Sequence, residues 1–122
     1  KASKAMTSKD LIGMQALVRN LPVGEKVVNA ILTLTRNARP GQTELQSVQT
    51  DVSWGPGPRA GQALMLATRA KALLDGRLSP SIDDVLELAG PVLRHRMALT
   101  FAARASGTKI DHVIDQLKDS LR

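Results

Sequence analysis

The residues best placed to do chemistry stand in one short run, Gly55-Pro56-Gly57-Pro58-Arg59-Ala60. Two prolines fix φ and two glycines permit angles that other residues resist, so the run predicts a rigid turn that delivers Arg59 into the first turn of a helix. A guanidinium there has a defined position and direction. Helix N-terminal amides favour anions, and arginine adds a forked donor that stays charged at any physiological pH. That combination points to phosphate sensing. The plainer alternative, an ordinary surface arginine, is the commoner role of an arginine in a first turn and is favoured by these residues taken alone.

Other constellations are weaker. The chain has no Gly-x-x-x-x-Gly-Lys-Ser/Thr phosphate loop and no predicted strand ending in acids that could hold Mg²⁺ and polarise water. His95 and His112 are the only imidazoles and fall in different predicted helices, and there is no cysteine, so no metal site is expected. Asp83 and Asp84 sit in a predicted first helical turn, where capping explains them better than acid–base catalysis. Trp54 beside the turn could stack on adenine, but a turn anchored to the core is the favoured reading. Arg94, His95 and Arg96 fit equally well a solvated helix end, whose cations suit the dipole, or a contact to nucleotide or a neighbouring subunit. Met6, Met14, Met65 and Met97 read as core filler.

These groups need elements to position them. Thr7 and Asp10 have capping-box spacing and open a helix whose stripe is Leu11, Met14, Leu17, Val18 and Leu21, ended by Pro22. Val27, Ile31, Leu34 and Ala38 predict a second helix from Glu25 to Arg39, stopped by Pro40-Gly41. Gln42 to Asp51 is polar and aperiodic and is expected to be the longest loop or a short irregular excursion. Val52-Ser53-Trp54 reads as extended. A long central helix from Arg59 to Leu74 puts Ala60, Ala63, Leu64, Ala67, Ala70 and Leu74 on one face, small enough for a neighbouring helix to come close. Gly76 is the expected C-cap. Ser81 with Asp84 starts the next helix, with Ile82, Val85, Leu86 and Ala89 inward, and Gly90-Pro91 is expected to break it before a short helix from Val92 to Arg96. Met97 to Thr100 reads as extended. Thr108 with Asp111 opens a last helix whose face is Ile110, Val113, Ile114, Leu117 and Leu121. The expected fold is all-α, a single small bundle of five or six helices over residues 1–122, with at most a short two-stranded element.

Composition agrees. Apolar residues at 43% and charged residues at 23% are globular proportions, and with Trp54 and Phe101 the only aromatics the core must be aliphatic, which favours helices. Seventeen Lys and Arg against eleven acids leave a net charge of +6, suited to nucleic acid, an acidic protein face or a polyphosphate. The charges are spread along the chain. A small basic nucleic-acid-binding module, with the Arg94-His95-Arg96 helix entering a groove, is the competing reading; against it stand the lack of helix-turn-helix spacing and of an aromatic stacking platform. There is no signal-peptide pattern and no run of roughly 18 apolar residues, so no membrane span is expected and a cytoplasmic location is.

Trp54-Gly55-Pro56-Gly57-Pro58-Arg59-Ala60, Ala63-Leu64, the Ala67-to-Arg77 segment, Asp84-Val85 and Pro91-Val92-Leu93-Arg94-His95-Arg96 resemble, in order and spacing, the C-terminal helical lid of MoxR-family AAA+ ATPases. The likeness covers nearly the whole chain. It implies that Arg59 is the sensor-two arginine, a catalytic residue that reaches the terminal phosphate of ATP, and that Gly55 and Pro58 belong to the same cofactor-binding turn. Where this chain has Gly57 the family often has serine, a change that loosens the turn but leaves the guanidinium available. The resemblance further implies a preceding α/β core domain, not contained in these residues, that binds ATP and Mg²⁺, so that the chain is a fragment of a longer ATPase and cannot hydrolyse ATP alone. Expected partners are that core, neighbouring subunits of a hexamer, and proteins with von Willebrand factor A domains on which the family acts in chaperone-like maturation. The isolated chain is expected to be a monomer or weak dimer.

Overall fold

The computed structural model describes residues 1–122. Seven helices and one small two-stranded antiparallel sheet make up the chain: α1 (Ser8–Asn20), α2 (Glu25–Asn37), α3 (Gln46–Asp51), β1 (Val52–Trp54), α4 (Pro58–Leu74), α5 (Ile82–Leu93), β2 (Ala98–Leu99), α6 (Phe101–Ala105) and α7 (Ile110–Asp119), with a 3₁₀ turn at Pro40–Gln42. The core lies among α2, α4, α5 and α7, where Ile31, Leu34, Leu64, Val85, Leu93, Val113, Ile114 and Leu117 are buried. Three of these helices bury the stripes that their periodicity predicts. Val27, Ile31, Leu34 and Ala38 of the second are all inside, as are Val85, Leu86 and Ala89 of the fifth and Val113, Ile114 and Leu117 of the last.

Local signals place most boundaries. Thr7 and Asp10 form a reciprocal capping box, as do Ser81 and Asp84. Gly76 takes φ +74°, and the amides of Gly76 and Arg77 donate to the carbonyls of Leu73 and Ala72, which closes α4 in a Schellman turn.

Several expectations are corrected. No residue of α1 is buried: Leu11, Met14 and Leu17 are exposed, and the helix rests chiefly on α4, over a shallow depression lined by Val18, Ala63, Ala67 and Ala70. Those small residues admit a helix as foreseen, but Leu74, the last residue of α4, is 87% exposed and not part of the packed face. The segment from Gln42 is not all loop, since Val48 drives into the core and fixes the six-residue α3. Pro91 does not break α5, which runs on to Leu93. Gly90 in front of it has no Cβ to collide with the proline ring, and burial of Val92 and Leu93 favours continuing the helix. There is accordingly no separate helix from Val92 to Arg96. Phe101–Ala105 forms the unforeseen α6, capped by the Thr100 hydroxyl, which accepts from the Ala103 amide. The last helix starts at Ile110, and Thr108 does not cap it; Asp111 pairs instead with Arg94. Met97 is core and Met65 is partly buried, whereas Met6 and Met14 are exposed.

Candidate functional site

The turn before α4 is held from two directions. Arg39, at the end of α2, donates from Nε to the Pro56 carbonyl at 2.7 Å, and Pro56 is itself buried. Gly55 packs so closely on α2 that an added Cβ would lie 2.8 Å from Cα of Arg39 and collide with the Ala38 carbonyl. Neither Gly55 nor Gly57 has positive φ, so the expectation that both serve unusual angles is corrected. Gly55 serves close approach. Gly57 is the extended N-cap of α4 with nothing near its Cβ position, open enough for a serine.

Pro58 then occupies the first position of α4, where its missing N–H costs nothing, and Ala60 plugs the helix into the core. Arg59 between them points away from the core. It is exposed and makes no hydrogen bond or ion pair within the chain. A guanidinium with all its donors free, on the first turn of a helix of 17 residues, can receive an anion without first giving up a partner.

The two-stranded sheet brings a distant segment to this point. β1 and β2 pair antiparallel, with Val52 opposite Leu99 and Trp54 opposite Ala98, and the Thr100 amide donates to the Asp51 carbonyl at 2.7 Å. The residues just ahead of β2 therefore lie beside the turn. His95 and Arg96 share with Trp54, Gly57, Pro58 and Arg59 a surface depression of about 440 Å³ that no carboxylate lines. Arg96 donates from Nη1 to the Val92 carbonyl at 2.7 Å and touches Nε2 of His95. Arg94 turns the other way, to Asp111 at 2.7 Å, and ties the end of α5 to α7. Of these three residues, Arg94 is thus tied into the fold, and His95 and Arg96 face the depression. Trp54 is 55% exposed, which overturns the expectation that it anchors the turn; Gly55, Arg39 and Pro56 do that.

Asp84 has no place at this site. It is buried, accepts from both Nη atoms of Arg77 at 2.7 and 2.8 Å, and caps α5. The Arg77 hydrogen bonds hold its carboxyl below the usual carboxylate range despite burial. A larger groove, of about 640 Å³, runs between α2 and α4 over Ile31, Leu32, Met65 and Leu66, but it carries no carboxylate, imidazole or nucleophile beyond the hydroxyl of Thr35, which donates to the Ile31 carbonyl. Sequence reasoning identifies Arg59 and its turn and misses Arg39, whose contact to Pro56 joins segments that no local pattern relates.

Comparison with known proteins bears on this arrangement. The AAA lid domain family matches residues 45–117. Chaperone MoxR1 of Mycobacterium tuberculosis is 30% identical over 118 residues, covering 96% of this chain and 31% of that protein. The uncharacterised protein YeaC of Bacillus subtilis is 29% identical over 117 residues, covering 96% of this chain and 34% of its own length. The chain thus spans about a third of the length of these curated relatives. The crystal structure of a candidate ATPase from Cytophaga hutchinsonii shares the fold, with a TM-score of 0.85 at 23% identity over 89% of this chain and 33% of the other.

Proposed function

This chain belongs to the AAA lid domain family, of the MoxR type, and from that premise we propose that it closes over ATP held by the nucleotide-binding domain of a longer polypeptide and converts hydrolysis into lid movement. Arg59 carries the reading. Its guanidinium is exposed, unpartnered and aimed by a turn that Arg39 and Gly55 lock to α2, so it can contact the terminal phosphate and register its loss. Gly55 and Pro58 act through the backbone, by seating the turn and by starting α4 where Arg59 must stand.

A charge-assisted contact of this kind contributes roughly 1.5–3 kcal/mol, enough to bias a hinge between open and closed positions. No group of three His, Cys, Asp or Glu side chains here is close enough to hold a metal ion, so Mg²⁺ falls to the nucleotide-binding domain in this reading. Lid movement in a ring of such subunits, a hexamer by family resemblance, would drive chaperone-like remodelling of partner proteins, with von Willebrand factor A domain proteins as the expected class. No helix of the chain is long and apolar enough to cross a membrane, and the proposed site of action is the cytoplasm.

The test is ATP hydrolysis by the full-length parent, wild type beside Arg59→Ala, with the 122-residue chain as control. Loss of roughly ten- to hundred-fold in the variant, with nothing from the 122-residue chain, supports the reading. Wild-type turnover in the variant would remove Arg59 from the mechanism.

A further inference from the structure

We propose that Arg96 is a second phosphate-binding residue, and that with Arg59 it forms a two-armed clamp for the polyphosphate of a nucleotide; the inference rests on the reading of Arg59 as a phosphate contact. The two arginines come from segments far apart in sequence, and the β1–β2 pairing sets them around one depression with the first turn of α4 at its edge. Arg96 has the features of a prepared ligand arm. One Nη is spent on the Val92 carbonyl and on His95, which orients the guanidinium plane, while Nε and the other Nη have no partner in the chain. An arginine already held at one corner loses less side-chain freedom on binding than a free one.

Charge at the depression is uncompensated. Arg94 spends its charge on Asp111, and Arg77 spends its own on Asp84 and Asp75, but neither Arg59 nor Arg96 has an acidic partner. Two unneutralised guanidinium groups sharing one concavity repel each other until an anion enters. A single carboxylate satisfies one fork; a polyphosphate, with several anionic oxygens in a row, satisfies both. His95 contributes as a positioning residue. Its Nε2 can accept from Arg96 only while the imidazole is neutral, with the proton on Nδ1.

The experiment titrates inorganic tripolyphosphate into the ¹⁵N-labelled chain at low salt and follows the amides of Gly57 to Ala60 and of His95 to Met97. The expected result is that both segments shift along one isotherm and that Arg59→Ala and Arg96→Ala each weaken the apparent Kd by roughly tenfold. Arg104→Ala, which removes an exposed cation outside the depression, leaves it unchanged. Because Arg96 also supports the Val92 carbonyl, Arg96→Lys is the companion variant. It keeps a donor for that carbonyl and removes the free part of the fork, so weakened binding with an unchanged melting temperature supports the clamp. Wild-type affinity in both Arg96 variants, with loss only in Arg59→Ala, overturns the role of Arg96 and leaves Arg59 standing. If Arg59→Ala also binds as wild type, or Arg104→Ala weakens binding equally, the phosphate contact itself falls, and Arg59→Ala hydrolysis in the parent then decides the proposed function separately.

Discussion

A methyl group at Gly55 would press on the backbone of Ala38 and Arg39, which cannot yield without moving the end of α2. Gly55→Ala is therefore expected to cost about 1–3 kcal/mol in urea denaturation and to weaken whatever Arg59 binds, since the turn that aims it is displaced. Gly57, two residues on, faces open space at an extended N-cap. Serine there gains a capping hydroxyl and shrinks the unfolded ensemble, so Gly57→Ser should raise stability by about 0.5 kcal/mol. A loss on that substitution, measured in the same urea titration, would contradict the open geometry at the cap. Arg59 is exposed and its side chain makes no hydrogen bond or ion pair, so its removal should change stability by less than about 0.5 kcal/mol; a large drop in melting temperature would mean that the side chain has a structural role after all. The identity of Arg59 as the exposed arginine of a rigid turn is legible in Pro56, Pro58 and the two glycines. Which glycine is indispensable is not, because the obstacle is the backbone of another helix.

Helix α5 shows how local signals and distant partners combine. Ser81 and Asp84 box its N-terminus, a pattern visible in the sequence, but the same Asp84 carboxylate is also the buried seat for Arg77 from beyond the Schellman turn of α4. Breaking this pair with Asp84→Asn should cost about 1–3 kcal/mol, less than for a fully buried pair because Arg77 reaches solvent. The folded carboxyl titrates below its unfolded value of roughly 3.9. Its contribution is thus fully present above about pH 5 and is lost as the pH falls through the lower folded value. Unfolding free energy followed from pH 7 to pH 2 should therefore drop on the acid side, and drop less in Asp84→Asn. Equal acid limbs in the two proteins would show that Asp84 is not a principal acid-sensitive group.

Across the whole molecule, stability is unevenly distributed. α1 buries no residue and leans chiefly on α4, whereas α2, α4, α5 and α7 share one core. Amide exchange should accordingly be fastest in α1 among the long helices and slowest in α5 and α7, where opening requires the core to come apart. Uniform protection across α1 and α5 would mean that α1 has a partner, such as a second copy of the chain. Exposed Leu11, Ile12, Met14 and Leu17 make association conceivable in chemistry, and the net charge of +6 opposes it. Light scattering is expected to give a monomer or weak dimer, and a stable ring from this chain alone would contradict a lid that relies on another domain for assembly.

What the sequence by itself determined is everything set within a few residues of chain: the two capping boxes, the Gly76 turn, the long α4 after its proline start, and the inward stripes of α2, α5 and α7. These follow from φ restrictions, hydrogen bonds three or four residues apart and helical periodicity, and none of them needs a partner from elsewhere. Only the tertiary structure decided which apolar stripes are covered, so α1 and Trp54 remain outside while Val48 makes a helix of a polar stretch. It alone placed His95 and Arg96 beside Arg59. Burial and proximity across the β1–β2 pairing depend on segments that approach through space, and local spacing carries no record of that approach.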